Sequence, residues 1–506
     1  MTAERLPALV RRAPGFGGRR ALIEPAGEWT YDDLAARASG LAAVLLDRRH
    51  DLEEARVALA APPGLPYVAG QWGTWMAGGV SVPLSLQQTR HEWEYILDDS
   101  RATEVIVAPE HAGIIGPLAA ARGIRLTSTD NAGAAPSPGP FEWPSIPAIG
   151  PDRRALMLYT SGTTRLPKGV VLTHGNLAAQ VECLSEAWAW QPDDCALHVL
   201  PLNHTHGVIN VLACALWNGA ACECAGGFDA AQVWPRLASG DITVFMAVPT
   251  IYSRLIAAWR EAPPDVRAAW SRGAAGLRLF VSGSAALPVP VLEAWREITG
   301  HTLLERYGMT ETGMALSNPL HGARRPGFVG APLPGVEVRV VSVTGEDVAA
   351  GTPGELLVRG PGVFREYWGR PGATAAAFAA DGWFRTGDVA ACEDGAFRIL
   401  GRLSVDIIKS GGEKVSALEV EAVLRDHPDI AECAVVGLPD PEWGECVAAV
   451  VAMRGPGTIT LPVLRDWARA RLSGPRLPRR LAIVSALPRN AMGKVVKPEL
   501  TQLFGG

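Results

Sequence analysis

The stretch from Leu158 to Asn176, LYTSGTTRLPKGVVLTHGN, restricts this chain more than any other. Thr160, Ser161, Thr163 and Thr164 crowd hydroxyls around Gly162, and Lys168-Gly169 follow Pro167. The apolar run 155–158 predicts a strand entering the loop, and Val170-Val171-Leu172 a strand leaving it. A loop of this composition can wrap a polyphosphate: hydroxyls and amides donate, glycine permits close approach, and lysine offsets charge. The P-loop of nucleotide hydrolases does not fit, because no Gly-Lys-Ser/Thr follows Gly162 and no helix is predicted to open there. A Ser/Thr/Gly surface turn is the plain alternative for a shorter string. A run this long, in this order, is more specific.

At 506 residues the chain is long enough for two or more domains, and its 48% hydrophobic content supports sizeable cores. A formal charge of −5 argues against nucleic-acid binding as its main task. The eight cysteines are scattered and only Cys222 and Cys224 lie close together, which favours buried thiols over a metal centre. The apolar run 208–217 is too short to cross a membrane.

Short strands and helices alternate through the first third, with Thr30 a candidate cap for a helix over 31–47. This predicts an α/β fold: layered α/β subdomains around a largely parallel sheet. Residues 277–287, LRLFVSGSAAL, predict a strand ending in a Ser-Gly-Ser turn, the type of strand end where open α/β sheets bind ligands. Runs 354–358, 383–389 and 397–402 predict a smaller β-rich subdomain. A boundary is expected at 403–406, separating a large N-terminal domain, 1–402, from a small α+β C-terminal domain, 407–506.

The segment 158–176 resembles the phosphate-loop signature of the adenylate-forming superfamily, which includes acyl-CoA synthetases, luciferases and peptide-synthetase adenylation domains. The likeness extends from about Ala21 to Leu500. It implies an enzyme that takes ATP, Mg²⁺ and CoA. Residues 1–20 show arginines but no clear leader, which predicts a soluble intracellular protein, in the cytoplasm ahead of the mitochondrial matrix, and composition predicts no membrane or nucleic-acid partner. The resemblance further implies that Thr160, Ser161, Gly162, Thr163, Thr164 and Lys168 hold phosphates and that Glu311 helps ligate Mg²⁺. Tyr307 would stack on adenine, Gly283 would form part of the adenine wall, and Thr310 would reach the α-phosphate. Asp388 would accept the ribose hydroxyls with help from Arg402. Lys494 would stabilise the α-phosphate during adenylation. After rotation about 403–406, Lys409, Gly411 and Gly412 would face CoA.

The acid side departs from a fatty-acyl pocket. Arg306 precedes Tyr307, Arg254 follows Thr250-Ile251-Tyr252, and His204 and His206 fall in the same lobe. A small dicarboxylate keeps one ionised carboxylate after the other reacts, and burying that charge needs a fixed cation. Arg306 is the candidate clamp, with Arg254, His204, His206 and Ser282 around it. The alternative is a structural ion pair between Arg306 and Glu305 or another acid. The blocks HTHG, AVPTIY, VSGSAALP, LLERYGMTE, VDIIKSGGEKVSALEVE and PRNAMGK resemble malonyl-CoA synthetases, which implies malonate and methylmalonate as substrates. Arg165, Asn203 and Glu413 depart from the pattern. A ligase for another small acid, a carrier-loading enzyme, and a non-enzymatic homologue with an impaired phosphate loop are the competing readings.

Overall fold

Thr30 opens the first long helix. Its hydroxyl accepts from the Asp33 amide at 3.1 Å, and the Asp33 carboxylate accepts from the Thr30 amide at 2.9 Å, a reciprocal cap at the start of Tyr31–Leu46. The same device starts Arg90–Ser100 from Thr89 and His174–Ala187 from Thr173. The computed structural model describes residues 5–132, 146–160, 167–403, 405–410, 413–472, 474–489 and 495–505.

The fold is mixed α/β, and the described residues divide into two compact units. One comprises 1–326, 331–337 and 359–384; the other comprises 327–330, 338–358 and 385–506. The first unit holds a seven-stranded and a nine-stranded sheet. Both are parallel through their middles: Arg56–Ala60 runs parallel to Val80–Pro83 and Glu104–Val107, and Val244–Ala247 runs parallel to Leu279–Ser282. Antiparallel strands finish the edges, among them Gly27–Thr30 and Gly313–Ser317.

Alternation along the strands sets the layers. Val57 and Leu59 enter a core shared with Leu197 and Val244 of the nine-stranded sheet, whereas Ala58 and Ala60 pack on the other face with Trp93, Ile115 and Leu118. Covering both faces is what a parallel sheet requires.

The second unit carries the β-rich sheet, in which Phe384–Glu393 pairs antiparallel with Ala396–Arg402. It also holds a five-stranded sheet with a core on each face: Val435, Val447, Ala449 and Val451 on one side, Ala434, Val436, Ala448 and Val450 on the other. The hairpin Ile407–Ser410 with Glu413–Ser416 joins this sheet, an element that the sequence reading does not anticipate.

Lys497 lies almost buried in this unit, its ammonium 2.5 Å from Asp406 and 2.8 Å from Glu421. Burial opposes its charge while the two carboxylates hold its pKa above the ordinary lysine value. Lys497→Met should leave Asp406 without its cation and the buried Glu421 with Arg425 alone, a loss of up to about 3–5 kcal/mol for breaking a buried pair. Hydrogen exchange over Ala417–Arg425, which carries Glu421, should accelerate accordingly. Unchanged protection there would contradict the ion-cluster account.

Candidate active site

The strands flanking the hydroxyl-rich loop form as expected. Arg154–Thr160 and Lys168–Thr173 pair antiparallel, with Thr160 opposite Lys168 at the base of the loop. Ser161, Gly162, Thr163, Thr164 and Arg165 lie outside the described residues. The Lys168 ammonium stands 4.9 Å from the ring centre of Tyr367. The phenol of Tyr367 donates to Glu311 Oε1 at 2.9 Å. Lys168 and Glu311, far apart in sequence, are thus linked by one buried tyrosine. Sequence reasoning missed Tyr367. Its signal was an aromatic in Arg365-Glu366-Tyr367-Trp368, a string that carries no mechanism by itself.

Glu311 belongs to the turn of a hairpin, Leu304–Met309 with Gly313–Ser317. Two glycines make the turn possible. A Cβ on Gly308 would run into the Gly313 carbonyl, and Gly313 has φ +63 with the Gln180 amide against it. That amide oxygen accepts from Met314 N at 2.5 Å, pinning the hairpin to the helix His174–Ala187. Tyr307 and Thr310 are half-buried on the same hairpin, and Glu311 is buried.

The acid-side candidates hang from the ends of adjacent parallel strands. Leu279–Ser282 continues into Gly283 and Ser284, and its register places Ser282 opposite Glu305 on the next strand, one residue before Arg306. Arg306 is 3% exposed, and its Nε and Nη2 have no hydrogen-bond partner among the described residues. Burial pulls its pKa down to about 9, which leaves it charged at neutral pH. The Arg306–Glu305 ion pair is not formed. Glu305 Oε1 accepts from Leu287 N at 2.9 Å, Oε2 is buried without a partner among the described residues, and burial raises this carboxyl to about 7. Adjacent residues on a strand face opposite sides, which explains the separation.

Gly283 makes room for the guanidinium, since a Cβ there would overlap Arg306. Ser284 has φ +68, and its hydroxyl lies 3.2 Å from His206 Nδ1. His206 starts a π-helix, His206–Ala213. Burial first, and Arg306 second, push its pKa well below the usual imidazole value, so the ring is neutral. Its Nε2 is buried without a partner among the described residues, as is Ser282 Oγ. The structure therefore brings Arg306, His206, Gly283 and Ser284 together. His204 is half-buried just before the π-helix. Arg254 lies on the exposed face of Pro249–Glu261, whereas Tyr252 of that helix is buried and donates to Val281 O at 2.9 Å. The cation acting on His206 is Arg306, not Arg254.

In the second unit, Asp388 sits opposite Arg402, and their side chains approach to 3.1 Å. The Thr386 hydroxyl accepts from the Asp388 amide at 3.0 Å and donates to Leu356 O at 2.7 Å, fixing the Thr-Gly-Asp turn, where Gly387 has φ +70. Lys409 is exposed on its hairpin. Gly411, Gly412 and Lys494 lie outside the described residues.

Comparison with known proteins gives a consistent result. The family profile described as AMP-binding enzyme matches residues 9–368, and the AMP-binding enzyme C-terminal domain matches 419–494. The chain is 48% identical to the mitochondrial malonate–CoA ligase ACSF3 of Bos taurus, over 97% of this chain and 89% of that protein. It superposes on the crystal structure of ATP-bound MatB from Rhodopseudomonas palustris with a TM-score of 0.89 and 34% identity, covering 100% and 99% of the two chains. A malonyl-CoA ligase in a ternary product complex with methylmalonyl-CoA and AMP gives a TM-score of 0.69 at 37% identity, covering 96% and 100%.

The buried Glu305 carboxyl generates a pH dependence. Its folded pKa of about 7 exceeds the ordinary 4.5, so its contribution to stability is complete below 4.5 and lost as pH rises through 7. The change is about 3 kcal/mol at most. Glu305→Gln should flatten the fall in thermal stability between pH 5 and pH 8. A variant that tracks the parent across that range would rule out Glu305 as the titrating group.

Proposed function

Because the chain belongs to the AMP-binding enzyme family, we propose that it is an AMP-forming acid–thiol ligase that joins malonate to CoA at the expense of ATP, and that methylmalonate enters the same pocket. The observation that carries the acid assignment is Arg306, a buried guanidinium whose Nε and Nη2 have no hydrogen-bond partner among the described residues. A diacid bound with one carboxylate on Arg306 leaves the other to react. The neutral His206 ring supplies a donor or acceptor beside it, according to its tautomer, without adding a second charge.

In the first half-reaction an oxygen of the reacting carboxylate bonds to the α-phosphorus of ATP, and the bond to pyrophosphate breaks. In the second, the CoA sulfur bonds to the acyl carbon and AMP departs. Both stages place negative charge against negative charge, so cations that act on the transition state are required. Lys168, Thr160, Ser161, Gly162, Thr163 and Thr164 are assigned to the phosphates, Thr310 to the α-phosphate, Tyr307 and Gly283 to adenine, and Asp388 with Arg402 to the ribose. Lys494 is assigned to the adenylation transition state. His204 and Ser282 are assigned to the acid side, and Lys409, Gly411 and Gly412 to the CoA side.

Glu311 suits Mg²⁺: it is a buried carboxylate linked through Tyr367 to Lys168. No cluster of three or more His, Cys, Asp or Glu gathers among the described residues, so ATP oxygens and waters would complete the shell. Bound there, Mg²⁺ would offset charge on the leaving pyrophosphate. We place the pivot between the half-reactions at 403–406, within the second compact unit and just before the hairpin Ile407–Ser410. No described helix is long and apolar enough to cross a membrane. The proposed setting is an intracellular compartment that supplies ATP and CoA. The bovine relative is named mitochondrial.

Pyrophosphate release with malonate, methylmalonate, acetate and octanoate, each with and without CoA, tests the reading. Malonate or methylmalonate should give the fastest CoA-dependent turnover; octanoate matching them would discard the dicarboxylate assignment. Arg306→Gln should lower kcat/KM for malonate by on the order of a hundredfold or more while sparing the slow turnover of acetate, the loss expected when a buried charge pair is cut. Lys494→Ala should abolish adenylate formation yet retain thioesterification of supplied malonyl-AMP. An equal loss of both steps in a folded variant would remove Lys494 from its assigned role.

A further inference from the structure

Tyr367 touches both groups assigned to the triphosphate and its metal. Its ring lies beneath the Lys168 ammonium at 4.9 Å, and its hydroxyl donates to Glu311 Oε1 at 2.9 Å. The residue is buried, with its ring packed at 4.7 Å from Phe364. Its backbone is equally constrained. The two-residue strand Glu366–Tyr367 pairs antiparallel with the strand leaving the phosphate loop, placing Tyr367 opposite Val170. Arg365 N donates to Val171 O at 2.9 Å, and Trp368 N donates to Gly169 O at 2.8 Å.

The segment is also tied to both loop stems from its far end. Arg370 donates to Asp99 at 2.9 Å and to the Tyr95 hydroxyl at 3.0 Å. Tyr95 donates to Pro167 O at 2.6 Å, just after the loop, and Tyr159 donates to Asp99 at 2.8 Å, just before it. Residues 365–370 therefore form a brace across the base of the phosphate loop. On the Glu311 side, Phe364 N donates to the Glu311 carbonyl at 2.7 Å.

We propose that Tyr367 is a positioning residue that couples the phosphate-holding lysine to the metal-holding carboxylate, and so sets the geometry in which a divalent cation and a triphosphate bind together. The proposal rests on the assignment of Lys168 to phosphate and Glu311 to the metal. The phenol orients the carboxylate through one oxygen. The ring holds the ammonium by a cation–π contact, which limits the positions of a flexible side chain without neutralising it. Phenol and ring are separable by mutation: Tyr367→Phe removes the hydrogen bond and keeps the ring, whereas Tyr367→Leu removes both.

Mn²⁺ serves as the probe, with its binding to the enzyme–ATP complex followed by electron paramagnetic resonance in the absence of malonate and CoA. Glu311→Gln should weaken Mn²⁺ binding. Tyr367→Phe should weaken it about tenfold, the scale of one hydrogen bond to a charged group, with little change in metal-free ATP affinity. Tyr367→Leu should in addition weaken metal-free ATP binding, while the KM for malonate stays unchanged in both variants. If Glu311→Gln binds Mn²⁺ normally, the metal assignment fails and the proposal with it. If Glu311→Gln weakens binding but Tyr367→Phe does not, only the coupling role is overturned. Equal metal-free ATP binding by the Phe and Leu variants would overturn the cation–π half.

Discussion

A buried guanidinium, two of whose nitrogens find no acceptor among the described residues, is the constraint from which this site takes its character. Taking a charge out of water is unfavourable unless something of opposite sign compensates it, and the obvious neighbour does not. Glu305 turns to the other face of its strand and is driven towards its neutral form, while His206 beside the guanidinium is held neutral by burial. A localised positive charge therefore stays uncompensated at Arg306, and on the proposed reading a ligand carboxylate meets it. An unsubstituted fatty acid has no second carboxylate to meet it, whereas a short diacid does.

The rest of the first unit holds that charge in place. Parallel strands covered on both faces present their carboxyl ends in one row, and the chain after each end supplies Gly283 and Ser284 or leads to His206. Gly283 is needed for volume rather than for a positive φ, because a Cβ would occupy the space of the guanidinium. Ser284, by contrast, sits in the left-handed region, a local strain retained where its hydroxyl meets the imidazole. The triphosphate side relies on a different device, a hairpin base held by a short third strand.

Much of this was legible in the sequence because the signals were local. Thr30 before an apolar periodicity announced a helix start, the apolar runs on either side of 161–166 announced the loop stems, and Arg306 before Tyr307 was unusual enough to single out. The information that stayed hidden was relational. Nothing local says that Tyr367 reaches Glu311, that Glu305 and Arg306 diverge, or that Arg254 falls on the exposed face of its helix. The π-helix at His206–Ala213 was equally opaque, since its apolar run reads the same for several helical pitches. The hairpin 407–416 escaped because Gly411-Gly412 reads as a loop, while its flanking strands are short.

The arrangement of the acid side has a bearing on how such an enzyme could be re-specified. The cation, the imidazole and the hydroxyl that meets it are mounted beyond the strand bodies, whose buried residues form the shared core. Chemical preference and mechanical integrity are therefore carried by different atoms of the same strands. A surgeon of this pocket could exchange the rim for one matched to a neutral or bulkier acid and leave the beams beneath it untouched.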